Sequence, residues 1–364
     1  SIFIGGAHDF GSIVASLRHK GASIGEVVKI YMPNAYRFFL IFVWLALIYV
    51  IIAFTDITAH TFTTTIGESA LGSGVASSSI LYIFAAVMMG LFLYCLKLPL
   101  GLVTAIFLPL VLFIIWIGPH LPQSILSIFS GISVKQWDVI LLLYCLVASL
   151  LPVWLLLQPR GYLGGWFLYL VIFAGLTGAL FGGFSVQYPA FNLEGFRSIE
   201  NGKLIFPVLF ITIACGACSG FHGIVSSGTT SKQICRYKDS LAIGYGAMLL
   251  EGVVAVLAMA TVMMLPKTPE LLKADPNVIY AKGIASYLGL LKINYQAALA
   301  FALLAFSTFV YDTLDVCTRL ARYIFQELTG WKSTAGSFFS ALISLAIPFV
   351  FLMLTKEKGY LVAW

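Results

Sequence analysis

Ten long apolar runs follow one another along the chain, at about residues 1–17, 38–59, 79–96, 101–118, 139–157, 161–184, 204–228, 241–265, 295–316 and 335–354. A helix needs about 20 apolar residues to cross the ~30 Å hydrocarbon core of a bilayer, and lipid offers no partner to an unpaired backbone N–H or C=O. Runs of this length and number predict an all-α polytopic membrane protein, with about ten transmembrane helices in a single transmembrane domain over residues 1–364. The composition agrees. Some 60% of residues are hydrophobic and 10% charged, with mean hydropathy +0.98, where a soluble domain carries about 25% charged residues. Residue 1 is Ser, no basic stretch precedes the first run and no small-residue cleavage site follows it, so no cleavable signal is expected.

The run at 204–234, LIFPVLFITIACGACSGFHGIVSSGTTSKQI, starts as a span and then fails as one. It is apolar only from Leu204 to Cys215, after which Gly216, Gly220, Gly223 and Gly228 are interleaved with Ser219, His222, Ser226, Ser227, Thr229, Thr230 and Ser231. Such a span must be buried in protein or line a wet cavity, as a discontinuous transporter helix does. The alternative is a continuous helix in which Gly216 and Gly220 form a GxxxG packing face.

Ionisable residues inside apolar runs are costly, so they mark sites. Asp9, with His8 beside it, lies in the first run. Glu251 is at the centre of 241–265, too far from either end to reach water, and is the best candidate by chemistry for carrying a proton. Residues 295–328 form a Pro-free segment about 50 Å long as a helix, whose second half should leave the membrane. On it Asp312, Asp315, Arg319 and Arg322 fall within about 80° of one another. Asp315 and Asp312 are candidates for coupling and Arg319 for gating, while Arg319 with Arg322 reads equally as a salt-bridged cytoplasmic face. Asp56 and His60 share a face near the end of the second run, close enough to the interface to reach water. Spans 79–96, 101–118 and 139–157 read as scaffold.

Twelve Lys/Arg fall in the connections of one side and nine on the other, which makes the richer side cytoplasmic and turned toward anionic lipid. Arg160, beside Pro159 at a helix end, is expected to snorkel there as an anchor. The stretch TFTTTIGESALGSGVASSS after the second run is expected as a mobile extracellular loop, and IYAKGIASYLGLL, from Ile279, as a surface helix. The six cysteines read as small core residues, and Cys215-x-x-Cys218 with His222 lacks a second pair of metal ligands. No nucleic-acid surface, metal or cofactor is expected.

Five segments carry a resemblance: GGAHDFGSIVASLRHKGASIGEV from Gly5, LPVWLLLQPRGYL from Leu151, ITIACGACSGFHGIVSSGTTSK from Ile211, IGYGAMLLEG from Ile243 and TLDVCTRLARYIFQEL from Thr313. Together and in this order they resemble the carbon starvation protein A family of bacterial inner-membrane transporters. The resemblance implies uptake of peptides or pyruvate during carbon starvation, a fold related to inverted-repeat transporters of the amino acid–polyamine–organocation type, and further helices before Ser1 and after Trp364. The family pattern has an Asp at the position of Asp9, whereas His8 departs from it; it also carries over Asp315 and Arg319. Within that frame Gly216, Ser219, Gly220, His222, Gly223, Ser226, Ser227, Thr229 and Thr230 would bind the substrate, because half-helix ends offer N–H groups to a carboxylate. Asp9, Glu251, Asp315 or Asp312 would carry the coupling proton or cation.

No Walker A, HExxH or GxSxG motif is present. A hydrolase built on Ser219 and His222 would lack a third, orienting group, so an enzyme is not expected. A passive channel is the rival, but channels need a polar stripe on several spans, and here polar groups concentrate on one segment and a few carboxylates. The reading is a secondary transporter of small metabolites, coupled to a proton or another cation. Peptide termini and small carboxylates suit the same hydroxyls and amides, so both substrates stay open, as does the oligomeric state.

Overall fold

The computed structural model describes residues 1–65, 71–191, 199–200, 203–204, 213–214, 216–266, 268, 271, 274–355 and 358–359. Helices follow in the order α1 (Gly5–Arg18), α2 (Ile24–Tyr31), α3 (Tyr36–Phe62), α4 (Leu71–Tyr94), α5 (Leu100–Ile117), α6 (Gln123–Ser130), α7 (Val134–Leu150) and α8 (Leu157–Phe181). A two-residue ribbon pairs β1 (Ile199–Glu200) antiparallel with β2 (Lys203–Leu204). After it come α9 (Gly220–Val225), α10 (Asp239–Met264), α11 (Pro276–Gly289), α12 (Tyr295–Thr329) and α13 (Thr334–Leu354). Seven described helices are long and apolar enough to cross a membrane: α3, α4, α5, α8, α10, α12 and α13. Helices α6 and α7, bent by 93°, bring the number to eight if they form one span. Of the other two expected spans, the first is the 14-residue α1, and 204–228 has its apolar first half, residues 205–212, outside the described residues.

The chain divides into two compact units, Ser1–Ile41 with Phe184–Leu272 and Phe42–Gly183 with Lys273–Trp364. In the first, α1 packs against α9 and two π-helical turns, Ser226–Thr230 and Ala242–Gly246. Small residues let these backbones meet. A Cβ on Gly244 would stand 2.8 Å from the Phe10 Cα, so no larger residue fits there without moving α1.

In the second unit α12 is the central element, packed against α4, α7, α8, α11 and α13. Its ends are fixed locally: the Asn294 Oδ1 accepts the N–H groups of Gln296 and Ala297, and Gly330 ends the helix at φ 76°. At 35 residues it is about 52 Å long. Between apolar helices in lipid, association depends on close packing, and α12 supplies fully buried small residues such as Ala302, Cys317 and Ala321.

Several expectations change here. Leu71–Ser79, expected as a mobile loop, is the buried first part of α4. Its glycines and serines are small enough for close helix contact, and Ser77 and Ser78 donate to carbonyls of Gly74, Gly118 and Ile114. The expected surface helix is α11, with Ala281, Ile284 and Ala285 fully buried. Cys145 and Cys317 are buried, but Cys95 and Cys235 are exposed, so only some cysteines are core residues. Arg160, Arg319 and Arg322 are buried inside the helical bundle and are not loop charges. Removing them from the richer side levels the Lys/Arg count at nine on each side, which removes the basis for the orientation read from it.

Candidate functional site

The segment expected to break does so at Ser219. A helical turn closes at Cys218, whose N–H donates to the Ala214 carbonyl at 2.9 Å. Ser219 is then extended (φ −73°, ψ 124°), and α9 starts at Gly220. No described residue comes within 4 Å of a Cβ placed on Gly216 or Gly220, so among the described residues the GxxxG pair packs on no neighbour. No described side chain fills the space beside either glycine.

This break puts His222 between two carboxylates. Its Nδ1 is 3.1 Å from Asp9 Oδ2 and its Nε2 is 3.3 Å from Glu251 Oε2, while Asp9 Oδ1 is 2.8 Å from His8 Nδ1. The result is a chain, Glu251–His222–Asp9–His8, drawn from α10, α9 and α1. Exposure is graded along it: 45% for the Glu251 side chain, 23% for His222, 9% for Asp9 and 33% for His8. A singly protonated ring donates from one nitrogen and accepts at the other, so His222 bridges both carboxyls only if one of them holds a proton or the ring holds two. With a singly protonated ring, the two tautomers of His222 differ in which carboxyl holds the proton. With both nitrogens so engaged, neither is left to act as base for Ser219, which argues against the hydrolase reading.

The hydroxyls that follow have mixed environments. Ser227 is fully buried, donates to the Gly223 carbonyl at 2.9 Å and accepts from the Ile24 N–H at 3.1 Å, so it holds the α1–α2 turn. Ser226 is also buried, whereas Thr229 and Thr230 are half-buried. Gly223 leaves room for His8, since a Cβ there would stand 3.0 Å from His8 Cε1 and 3.2 Å from Ser12 Oγ. Cys215 lies outside the described residues.

A second ionic cluster lies within the other unit, and its key residue is one the sequence reading took for an anchor. Arg160, on the first turn of α8, is fully buried and pairs directly with Asp315. Tyr144 donates to Asp315 Oδ2 at 2.8 Å and accepts from Arg160 Nη1 at 3.0 Å. The guanidinium also lies 4.4 Å from the Tyr311 ring centroid, where it gains a cation–π contact. Asp312 is more distant, with Oδ1 3.8 Å from Arg160 Nε, and its side chain is 35% exposed. Arg319 and Arg322 do not form a solvated face: Arg319 Nη2 donates at 2.7 Å to both the Ala148 and Leu151 carbonyls, tying α12 to the end of α7, and Arg322 lies over Tyr323. The demand of Asp315 for a buried partner was the available sequence signal; which arginine supplied it was not.

Asp56 is likewise buried, out of reach of water, with Oδ2 3.6 Å from His60 Nε2. The same unit holds a buried Asp138, 3.9 Å from Lys135 and just before the 139–157 span read as scaffold. A cavity of about 660 Å³ there, lined by Ser73, Trp116, His120, Gln123 and Asn294 among others, contains none of the residues singled out from the sequence.

Residues 1–279 match the family model described as Carbon starvation protein CstA. Among curated proteins, the chain is similar to Peptide transporter CstA of Helicobacter pylori (strain 26695), 32% identical over 291 residues, or 78% of this chain and 41% of the relative. It is 34% identical to Pyruvate/proton symporter BtsT of Escherichia coli K12 over 271 residues, 71% of this chain and 36% of the relative. Peptide transporter CstA of Bacillus subtilis 168 is 32% identical over 223 residues, 58% and 37% respectively. The chain thus spans well under half the length of these relatives. No solved structure matches it.

Proposed function

The chain belongs to the carbon starvation protein CstA family, and on that premise we propose that it forms part of a proton-coupled secondary transporter in the bacterial inner membrane. The observation that carries this reading is the Glu251–His222–Asp9–His8 chain. A proton taken up at the more exposed Glu251 passes to His222 Nε2, and the ring releases its Nδ1 proton to Asp9. Alternation of carboxylate and imidazole gives each step a hydrogen-bonded partner. A passive channel has no use for such a chain, whereas a symporter needs one group that changes protonation with the transport cycle.

The names of the relatives support two substrate classes, peptides and pyruvate, and both present a carboxylate. The space beside Gly216 and Gly220, next to the N–H groups starting α9, is where we would seat it, with Ser219, Ser226, Thr229 and Thr230 as neutral partners. The Ser219 break then serves as the discontinuity of an inverted-repeat fold with about ten spans acting as one transporter domain. Asp315 and Asp312, facing Arg160, serve as the gating pair, with Arg319 holding the end of α7. The family name supports a role for this activity in carbon starvation.

Uptake of labelled pyruvate and dipeptides into vesicles, with and without a pH gradient, tests the proposal. Gradient-driven accumulation in the native chain that is abolished in Glu251→Gln, with exchange of internal for external substrate retained, is the expected result. Accumulation indifferent to the gradient in the native chain would leave the channel.

A further inference from the structure

We infer that the exposed side of α2 and the turns beside it form a docking surface for anionic phospholipid headgroups, with α2 lying at the boundary between lipid and water. The inference rests on the chain spanning a membrane and not on what it transports. Helix α2 buries Gly25 and Val27 and leaves Ile30, Tyr31 and Met32 at 57–68% exposure. Four residues past Met32 begins α3, the most apolar of the candidate spans, which presents Phe38 and Ile41 outward. The apolar tip of α2 is therefore held at the level where the chain enters hydrocarbon, the depth at which Tyr is favoured and amphipathic helices lie.

Basic residues lie on α2 and on the segments joined to its start. Arg18 and Lys20 at the end of α1 and Lys29 on α2 are exposed, as are Lys232, Arg236 and Lys238 of the segment preceding α10. The two segments are joined: Ser16 Oγ and Ser231 Oγ are 2.8 Å apart, Ile24 N–H donates to Ser227 Oγ, and a Cβ on Gly21 would stand 3.6 Å from Lys232 Cγ. The acidic residues of these stretches are Glu26 and Asp239. Among the described residues none of the six cations is in an ion pair, although Lys29 also lies over the Tyr36 ring. Their charge is left for a partner outside the protein. Basic groups near a membrane surface are drawn to anionic leaflets, and a phosphodiester lacking its own cation is the headgroup that answers six of them.

Native mass spectrometry of the full-length protein with added phosphatidylglycerol or phosphatidylcholine tests this. Phosphatidylglycerol should be retained preferentially, and Lys20→Gln with Lys29→Gln and Lys232→Gln should weaken its retention roughly a hundredfold, from the usual effect of three basic groups at an anionic surface. Arginine at the same three positions should preserve retention, and Lys97→Gln with Lys292→Gln should leave it unchanged. Equal retention of the two lipids by the native protein, or an equal loss in the Lys97 and Lys292 variant, would overturn the inference. Monodisperse elution of each variant confirms that the surface changes leave the fold intact.

Discussion

The two ionic clusters both give carboxylates a cationic or ionisable partner, and they differ in what that partner is. In the Glu251–His222–Asp9–His8 chain every link is between a carboxylate and an imidazole, and exposure falls from Glu251 to Asp9. Around Arg160 the cation is a guanidinium, which stays protonated throughout the physiological range, clamped by Asp315, Tyr144 and the face of Tyr311. One arrangement can pass a proton along; the other fixes a charge in place. Burial alone does not make a carboxylate a proton carrier. What distinguishes the two is whether the partner can itself give up its proton.

The largest difference should appear on removing the partner. Arg160→Met strands a buried Asp315 and should cost about 3–5 kcal/mol, seen as loss of folded protein, with Asp315→Leu restoring much of it in the double variant. A double variant no more stable than Arg160→Met would break the contrast by showing that Arg160 acts through something other than its charge. His222→Ala, by comparison, should fold, because Glu251 is partly exposed and the buried Asp9 keeps His8 as a partner, but it should lose gradient-driven uptake along with Glu251→Gln. Gly223→Val sharpens the point further, since its side chain must displace His8 and should lower coupled uptake several-fold, whereas Gly220→Val meets no described neighbour and should fold normally while blocking substrate. The smallest effect belongs to Ser227→Ala, about 1 kcal/mol of thermal stability for the hydrogen bonds to Ile24 and Gly223, and Ser226→Ala should raise the half-saturation concentration no more than about tenfold.

The helical framework was legible because apolar length is a local property: α3, α5, α8, α10 and α13 lie within a few residues of where hydropathy puts them. Asp9 and Glu251 were legible too, since an ionisable residue in the middle of an apolar run announces its own cost. Their connection through His222 was not, because it joins three helices far apart in sequence, and no spacing rule encodes that. Arg160 was misread for a related reason. Next to Pro159 it has the local appearance of a helix-end anchor, and only its pairing with a residue 155 positions away shows otherwise. The Leu71–Ser79 segment failed differently. Glycine and serine mean a loop in water, but between packed helices the same small residues permit contact.

The π-helical turn at Ala242–Gly246 decides which way Glu251 points. Such a turn contains one residue more than an α turn, and each residue of an α-helix advances the winding by about 100°. Glu251 lies five residues past Gly246 on the same continuous helix. Were that turn to rewind to ordinary α geometry, everything beyond it would swivel by about a quarter revolution, carrying the Glu251 carboxylate out of register with His222. The link at 3.3 Å thus depends on the extra residue, and a turn wound as ordinary α-helix would point the Glu251 side chain elsewhere.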